Sequence, residues 1–163
     1  MTSEQREAIR TIIRRYLEKA EANQPRIHYS MARPLTSLGD PPSSEFWTDC
    51  SGLVISAFKW ADMWLPYKVS DPGGYAYTGI GNTDTILSTN KRRRVPLDRK
   101  FFVGDMALYG PSLTYTKHVT ICRRNGSYLS SVWTSHGSER GPYATRINYR
   151  DDLLVVVRSM ALA

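Results

Sequence analysis

The chain has 163 residues, a length that suits one domain with its own hydrophobic core. Hydrophobic residues make up 41% of the sequence and aromatic residues 11%, which excludes a disordered chain. No apolar stretch approaches the roughly 20 residues that cross a bilayer, and the charged N-terminus does not resemble a secretory signal. The net charge of +7 favours an anionic partner: nucleic acid, anionic lipid or acidic cell-wall polymer.

The first predicted element is a helix over residues 3–22. Apolar residues from Ile9 to Leu17 recur at the three-and-four spacing that keeps one helix face apolar. Thr2 followed by Gln5 has the pattern of a capping box, in which two side chains satisfy backbone N–H groups at the helix start. The pattern therefore predicts an amphipathic helix that packs on a core.

A proline-containing loop and a second helix follow. Residues 24–45 contain several prolines and are expected to form an ordered surface loop. The second helix is predicted to begin near Thr48 or Asp49, which are both good N-cap residues, and to end before Pro66. The stretch 71–90 is rich in Gly, Tyr and Thr and predicts an irregular segment with one short helix.

The C-terminal half has the pattern of short strands separated by turns. The predicted strands are Met106–Tyr109, His118–Arg123, Tyr128–Trp133 and Leu153–Arg158. The pair Asn125-Gly126 predicts a hairpin turn between two of these strands. Helices followed by antiparallel strands predict an α+β domain.

Cys50 lies in the segment WTDCSGLV, where turn-forming residues precede an apolar helix. The positive end of a helix and a nearby imidazolium both lower the pKa of a thiol. We therefore expect Cys50 to be ionised at neutral pH and to act as a nucleophile, with Gly52 leaving room for a substrate. The alternative is a buried structural thiol, since unpaired cysteine is among the most buried residue types.

Histidines supply the expected partners of this thiol. In the strand HVTIC, His118, Thr120 and Cys122 share one face because side chains alternate along a strand. A sheet packed on the second helix would hold His118 beside Cys50, and His136 would orient the imidazole from behind. A cysteine, a histidine and a third polar group form the layout used for thiol acyl transfer, although a single strand histidine is more often structural.

Several motifs occur together in a particular order. DCSG opens the apolar helix, IHYSMARP precedes it, and GDMALYG and KHVTICRRNGSYLSSVWTSHGS follow it. This order resembles the NlpC family of cell-wall cysteine peptidases over residues 27–158. The resemblance implies a papain-like α+β fold, with N-terminal helices on a mostly antiparallel sheet. It places the catalytic cysteine at a helix N-terminus and the histidine on the adjacent strand.

The resemblance also implies roles for individual residues. Cys50 would be the nucleophile, His118 the general base and His136 the orienting residue. Substrate-binding roles would fall to Tyr29, Asp49 and Ser51, where such enzymes recognise the free amine of a stem peptide. The segment 66–100, which would line the groove, and the motif SHGSERGP, which contains His136, depart from the family's usual pattern.

The implied activity is that of a peptidoglycan hydrolase that cleaves the stem peptide through a thioacyl intermediate, between D-glutamate and diaminopimelate. The resemblance further implies a phage endolysin, made in the host cytoplasm without a signal peptide and acting on the wall after release. We expect a monomer with one peptidase domain over residues 1–163, either alone or as the N-terminal domain of a longer lysin, and no metal or cofactor. A muramoyl–L-alanine amidase and a non-catalytic wall- or virion-binding module on the same scaffold stay open.

Two further interpretations are weaker. The basic run KRRRVPLDRK, residues 91–100, allows phosphate contacts to nucleic acid, but a solvated basic loop explains it more simply. We therefore expect peptidoglycan as the partner and no nucleic acid. A zinc site built from Cys50, Cys122, His118 and His136 lacks the closely spaced ligand pairs of structural zinc sites.

Overall fold

A computed structural model describes residues 1–126, 131–136 and 140–163, with backbone alone at residues 131, 135, 136 and 140. The α-helices of the described chain are α1 (Ser3–Ala22), α2 (Cys50–Trp64) and α3 (Thr83–Asn90). The strands are β1 (Ile27–Tyr29), β2 (Phe46–Thr48), β3 (Arg94–Val95), β4 (Met106–Tyr109), β5 (His118–Cys122), β6 (Ser131–His136), β7 (Arg140–Arg146) and β8 (Leu153–Val157). Among the described residues, none of the helices is long and apolar enough to cross a membrane.

The main sheet has six strands in the order β3-β8-β4-β5-β6-β7, and every neighbouring pair is antiparallel. Strands β1 and β2 form a separate parallel pair immediately before α2. Cys50 is the first residue of α2 and His118 is the first residue of β5. The predicted α+β class, with helices on a mostly antiparallel sheet, is confirmed.

Helices α1 and α2 pack against one face of this sheet. The predicted apolar face of α1 is buried from Ile9 to Ala20, and the capping box of Thr2 and Gln5 is present. Strand β5 alternates as predicted: Val119 and Ile121 belong to the core shared with the helices, whereas Cys122 lies in a second core on the other face. His118 therefore begins a strand that contacts α2 through its neighbours.

The hairpin between β5 and β6 differs from the prediction. A two-residue turn at Asn125-Gly126 would pair Ile121 with residue 130. Ile121 pairs instead with Trp133. The backbone of Gly126 pairs instead with Phe101. Residues 131–133 of the predicted strand over 128–133 belong to β6, which continues to His136, and residues 128–130 lie outside the described part. Strand β7, which follows SHG, was not predicted, because its sequence has no clear alternation.

The aspartate of the motif GDMALYG joins two strands of the main sheet. Asp105 is fully buried, and its two carboxylate oxygens each lie 2.7 Å from a guanidinium nitrogen of Arg158, at the end of β8. It also accepts a hydrogen bond from the N–H of Phe102 at 2.8 Å. Gly104 has a φ of +92°, which favours glycine. The glycine-aspartate pair thus anchors β4 to β8.

Candidate active site

An open cleft of about 450 Å³ lies at the N-terminus of α2. Its walls come from β1 and the segment after it, from the starts of α2 and α3, and from the loop before β5. The cleft brings together four of the predicted site residues: Tyr29, Asp49, Cys50 and Ser51. The cleft is therefore the candidate active site.

The start of α2 is fixed by its N-cap. Oδ1 of Asp49 accepts hydrogen bonds from the N–H of Gly52 at 2.8 Å and from the hydroxyl of Ser51 at 3.0 Å. Gly52 does not open space for a substrate, so that expectation is wrong: a Cβ there would lie 2.4 Å from Oγ1 of Thr48. Close packing beneath the helix requires the glycine, and the capped turn presents the neighbouring cysteine to the cleft.

The thiol of Cys50 is largely buried beneath the first turn of α3. Its Sγ lies 3.8 Å from Oγ1 of Thr83. Burial raises the pKa of the Cys50 thiol, and the Asp49 carboxylate raises this pKa further, while the N–H groups of Val119 and Ser51 and the Thr83 hydroxyl act in the opposite direction. The expectation of a thiolate at rest is therefore wrong, because the sequence pattern did not include this burial.

The same thiol connects α2 to strand β5. The N–H of Val119 is one of the groups that stabilise the charged form of Cys50, so the start of β5 lies against the sulfur. Val119 directly follows His118 in the chain. The first residues of the helix and of the strand thus meet at one end of the cleft.

The imidazole of His118 is buried among polar and aromatic side chains. Its Nε2 lies 2.7 Å from Oγ1 of Thr134 on β6. The ring centroids of Tyr109 and Tyr149 lie 5.9 Å and 6.3 Å from that of the imidazole, and the Tyr149 hydroxyl lies 3.4 Å from Oγ1 of Thr134. These contacts fix the orientation of the imidazole ring, and its Nε2 faces the neutral hydroxyl of Thr134.

Thr134 was not predicted as a site residue, although it lies on the same strand as His136, two residues earlier. Period-two alternation counted back from His136 was the sequence signal that could have indicated Thr134. The backbone of His136 ends β6 and pairs with Arg140. The side chain of His136 is outside the described part of the structure, so its orienting role stays a prediction.

The first turn of α3 is attached to the loop before β5. Oδ1 of Asp84 accepts a hydrogen bond from the N–H of Thr116 at 2.9 Å and another from the Thr116 hydroxyl. Thr116 lies two residues before His118, and Asp84 directly follows Thr83, which contacts the thiol. We call this contact the Asp84–Thr116 clasp, and it joins the two walls that flank Cys50.

Arg33 forms the opposite wall with the N-cap of α2. Its Nη2 donates to Oδ2 of Asp49 at 2.8 Å and to Oγ of Ser51 at 3.0 Å. Its Nε donates to the carbonyl of Gly81 at 3.2 Å, and its Nη1 donates to the carbonyls of residues 31–32 at 3.3 and 3.2 Å. The sequence did not reveal this residue as part of the site, although it lies within IHYSMARP.

Tyr29 lines the outer part of the cleft and is 39% exposed. Partial burial raises the pKa of its hydroxyl, and the nearby Cys50 and Asp49 raise this pKa further. The hydroxyl therefore stays protonated at neutral pH and is able to donate a hydrogen bond to a bound substrate. Its position is compatible with the predicted substrate-binding role.

The zinc alternative finds no support in the described geometry. Cys122 is packed in the core on the far face of the sheet, whereas Cys50 belongs to the core shared with the helices. Among the described residues, no group of three or more histidine, cysteine or acidic side chains is arranged to hold a metal ion. Burial raises the pKa of Cys122, as expected of an inert core thiol.

Comparison with known proteins adds one finding. The model of the NlpC/P60 family matches residues 37–157 of the chain. No curated protein matches the chain. The matched stretch includes Asp49, Cys50, Ser51 and His118, whereas Tyr29 and Arg33 lie before it.

Proposed function

Because the chain belongs to the NlpC/P60 family, whose members are cysteine peptidases that hydrolyse peptidoglycan, we propose that it is a peptidoglycan endopeptidase. The bond cleaved is the one between D-glutamate and diaminopimelate in the stem peptide. Cys50 is the nucleophile and His118 the general base. Tyr29, Asp49 and Ser51 form the adjacent substrate-binding wall, with Asp49 and Ser51 acting through the hydrogen-bonded start of α2.

One observation carries this proposal. The only cysteine in the cleft lies at the capped N-terminus of α2, and its sulfur is in contact with the backbone next to His118. The positive end of a helix stabilises negative charge both on the sulfur and on the oxyanion of a tetrahedral intermediate. A structural thiol would have no need of a solvent-facing cleft or of a capped helix start.

The raised pKa of Cys50 decides how the first step proceeds. The thiol holds its proton at rest, so Nδ1 of His118 removes that proton while Sγ attacks the carbonyl carbon of the scissile amide. In the tautomer that carries its proton on Nε2, the imidazole donates to the Thr134 hydroxyl and Nδ1 is the basic nitrogen. The hydrogen bond supports a positioning role for Thr134, and His136 stays the predicted orienting residue.

The remaining steps return the enzyme to its starting state. The imidazolium transfers its proton to the departing amine nitrogen as the C–N bond breaks, which leaves an acyl group on Sγ. His118 then removes a proton from water, and the hydroxide attacks the thioester carbonyl. The C–S bond breaks, the imidazolium returns its proton to the sulfur, and the new carboxylic acid leaves and ionises in solvent. The residues supply every proton transfer of this scheme.

The biological setting that we propose is lysis by a bacteriophage. The enzyme is a monomeric endolysin, made in the cytoplasm of the bacterial host and acting on the cell wall after release. A net charge of +7 concentrates it on the phosphates and carboxylates of the wall, an attraction that salt weakens. Nucleic acid is not a partner in this proposal.

The deciding experiment is digestion of purified peptidoglycan followed by mass spectrometry of the soluble fragments. The wild-type protein should release fragments with a new amine on diaminopimelate, and Cys50→Ala should abolish this release. Cys122→Ala is the matched control, because it removes the other cysteine from a site remote from the cleft, and it should remain active. Full activity in Cys50→Ala would overturn the proposal.

The same fragments separate the alternatives. An amidase would release a new amine on L-alanine and leave a free lactyl carboxylate on the glycan. A non-catalytic module would bind the wall without producing any new amine.

A further inference from the structure

We propose that Arg33 makes this cleft selective for stem peptides whose amino terminus is held in an amide bond, as in intact peptidoglycan, over released peptides with a free ammonium group. The inference rests on the proposed function, specifies its substrate class, and departs from the free-amine recognition that the family resemblance implies for Asp49 and Ser51. It concerns the ion pair between Arg33 and Asp49, beside the nucleophile Cys50.

The first step of the argument is that Arg33 is not positioned to bind a substrate anion. A guanidinium has five N–H groups, and five protein acceptors are in contact with those of Arg33. They are the carbonyls of residues 31–32 and Gly81 and the side chains of Asp49 and Ser51. The arginine is therefore a fixed part of the wall, and its charge acts mainly on Asp49.

The second step concerns the carboxylate. Asp49 is the acidic residue next to the nucleophile, and an ammonium group entering this side of the cleft would pair with it. Its Oδ1 already accepts two hydrogen bonds at the start of α2, and its Oδ2 accepts one from Arg33 at 2.8 Å. Only 9% of the Asp49 side chain and 22% of the Arg33 side chain are exposed. An incoming ammonium would have to displace a partly buried guanidinium, which would leave charge and donors unpaired.

The third step is the charge and polarity of the remaining cleft. Asp84 and Lys117, with opposite charges, lie on the far wall, so the formal charges of the lining residues cancel when Arg33 and Asp49 are included. The exposed lining of the cleft also includes the thioether of Met31, which is 69% exposed, and the ring of Tyr115, which is 56% exposed. Such a lining suits a neutral acylated amine.

The test uses two peptides that differ only at the amino terminus: L-alanyl-γ-D-glutamyl-diaminopimelyl-D-alanine and its N-acetyl form. The wild-type enzyme should cleave the acetylated peptide with a kcat/KM at least about 10-fold higher, a ratio equivalent to ~1.4 kcal/mol. Arg33→Gln should reduce this preference to less than about 3-fold, mainly by a gain on the free-amine peptide, because the Asp49 carboxylate is no longer neutralised. Arg15→Gln, on the exposed face of α1, is the matched control and should keep the wild-type ratio.

A binding measurement tests the same preference when cleavage is too slow to follow. Calorimetry with Cys50→Ala should show tighter binding of the acetylated peptide, and it needs no turnover. If Arg33→Gln does not fold, the wild-type ratio and this binding preference still decide the inference.

The two proposals fail in different ways. Equal or better cleavage of the free-amine peptide by the wild-type enzyme would overturn the role of Arg33 and leave the endopeptidase proposal intact. Absence of cleavage of both peptides and of purified peptidoglycan would count against the endopeptidase itself.

Discussion

The hydroxyl of Thr134 lies 2.7 Å from Nε2 of His118, across neighbouring strands of the sheet. A neutral hydroxyl in this position orients the imidazole through a hydrogen bond that either group can donate, without the charge that a carboxylate would add. It therefore stabilises an imidazolium less, which agrees with a thiol that keeps its proton until attack. Strand β6 thus offers Thr134 as a candidate positioning residue, beside the predicted His136.

We predict that Thr134→Val, which preserves shape and removes the hydroxyl, lowers kcat/KM roughly 5- to 150-fold, the equivalent of losing about 1–3 kcal/mol for an unsatisfied buried donor. Thr134→Ser should restore most of the activity. The acid limb of the pH profile of kcat/KM should shift in Thr134→Val, since the imidazole loses a hydrogen-bond partner. A variant with wild-type kcat/KM and an unchanged pH profile would exclude the positioning role.

Sequence patterns predicted the local features of this protein well. The apolar periodicity of α1, its capping box and the start of α2 at Asp49 depend on residues within a few positions of one another, and all three are confirmed. The alternation of β5 is also confirmed, because one strand face must be apolar wherever a helix covers it. The position of Cys50 at a helix start was also predicted, because the N-cap residue Asp49 directly precedes it.

The unpredicted features depend on residues that are distant in the sequence. Thr134 reaches His118 because of the register between two strands, which the connecting turn did not reveal. The Arg33–Asp49 pair spans a loop whose path no periodicity describes. Burial of the Cys50 thiol requires α3 to lie over it, so its raised pKa is a property of the tertiary structure. The helix start and the nearby histidine, which the sequence does indicate, had predicted a lowered pKa for this thiol.

The Asp84–Thr116 clasp yields a second prediction. Asp84→Ala removes the acceptor of two hydrogen bonds and releases the loop before His118 from α3. We expect kcat/KM to fall about 10-fold, because small displacements of catalytic groups are costly, while thermal stability changes little at this partly exposed position. Asp151→Ala, an exposed acidic residue in the turn before β8, is the control and should behave as wild type. A drop in the melting temperature that accounts for the lost activity would contradict this prediction.

Two arginine–aspartate pairs with similar geometry allow a matched test of burial. Asp105 and Arg158 bond through both carboxylate oxygens at 2.7 Å, as do Asp152 and Arg150 at 2.7–2.8 Å. Asp105 is fully buried, whereas the side chains of the second pair are about one third exposed. We predict that Asp105→Ala destabilises the fold by about 3–5 kcal/mol and that Asp152→Ala costs at most about 1 kcal/mol. Urea unfolding measures both, and equal losses would contradict the assignment of the GD motif as a buried anchor.

The last prediction concerns alkaline pH. Burial raises the pKa of the thiols of Cys50 and Cys122 and of the phenols of Tyr16 and Tyr109 in the folded protein. An unfolded chain loses these protons near its ordinary pKa values, about 8.5 for cysteine and about 10 for tyrosine. The folded chain retains them at those pH values.

Because the unfolded state then binds fewer protons, the free energy of unfolding must decrease as pH rises. The contribution of each group is fully present below its unfolded pKa and is lost as the pH rises from that value towards the folded pKa. We therefore expect constant stability from these groups up to about pH 8 and a progressive loss between about pH 8.5 and 11. Cys122→Ala should show a shallower decline over the first part of this range, even though it creates a small cavity. Urea unfolding at pH 7, 9 and 10.5 compares the slopes, and parallel curves for wild type and Cys122→Ala would mean that the thiol ionises equally in both states.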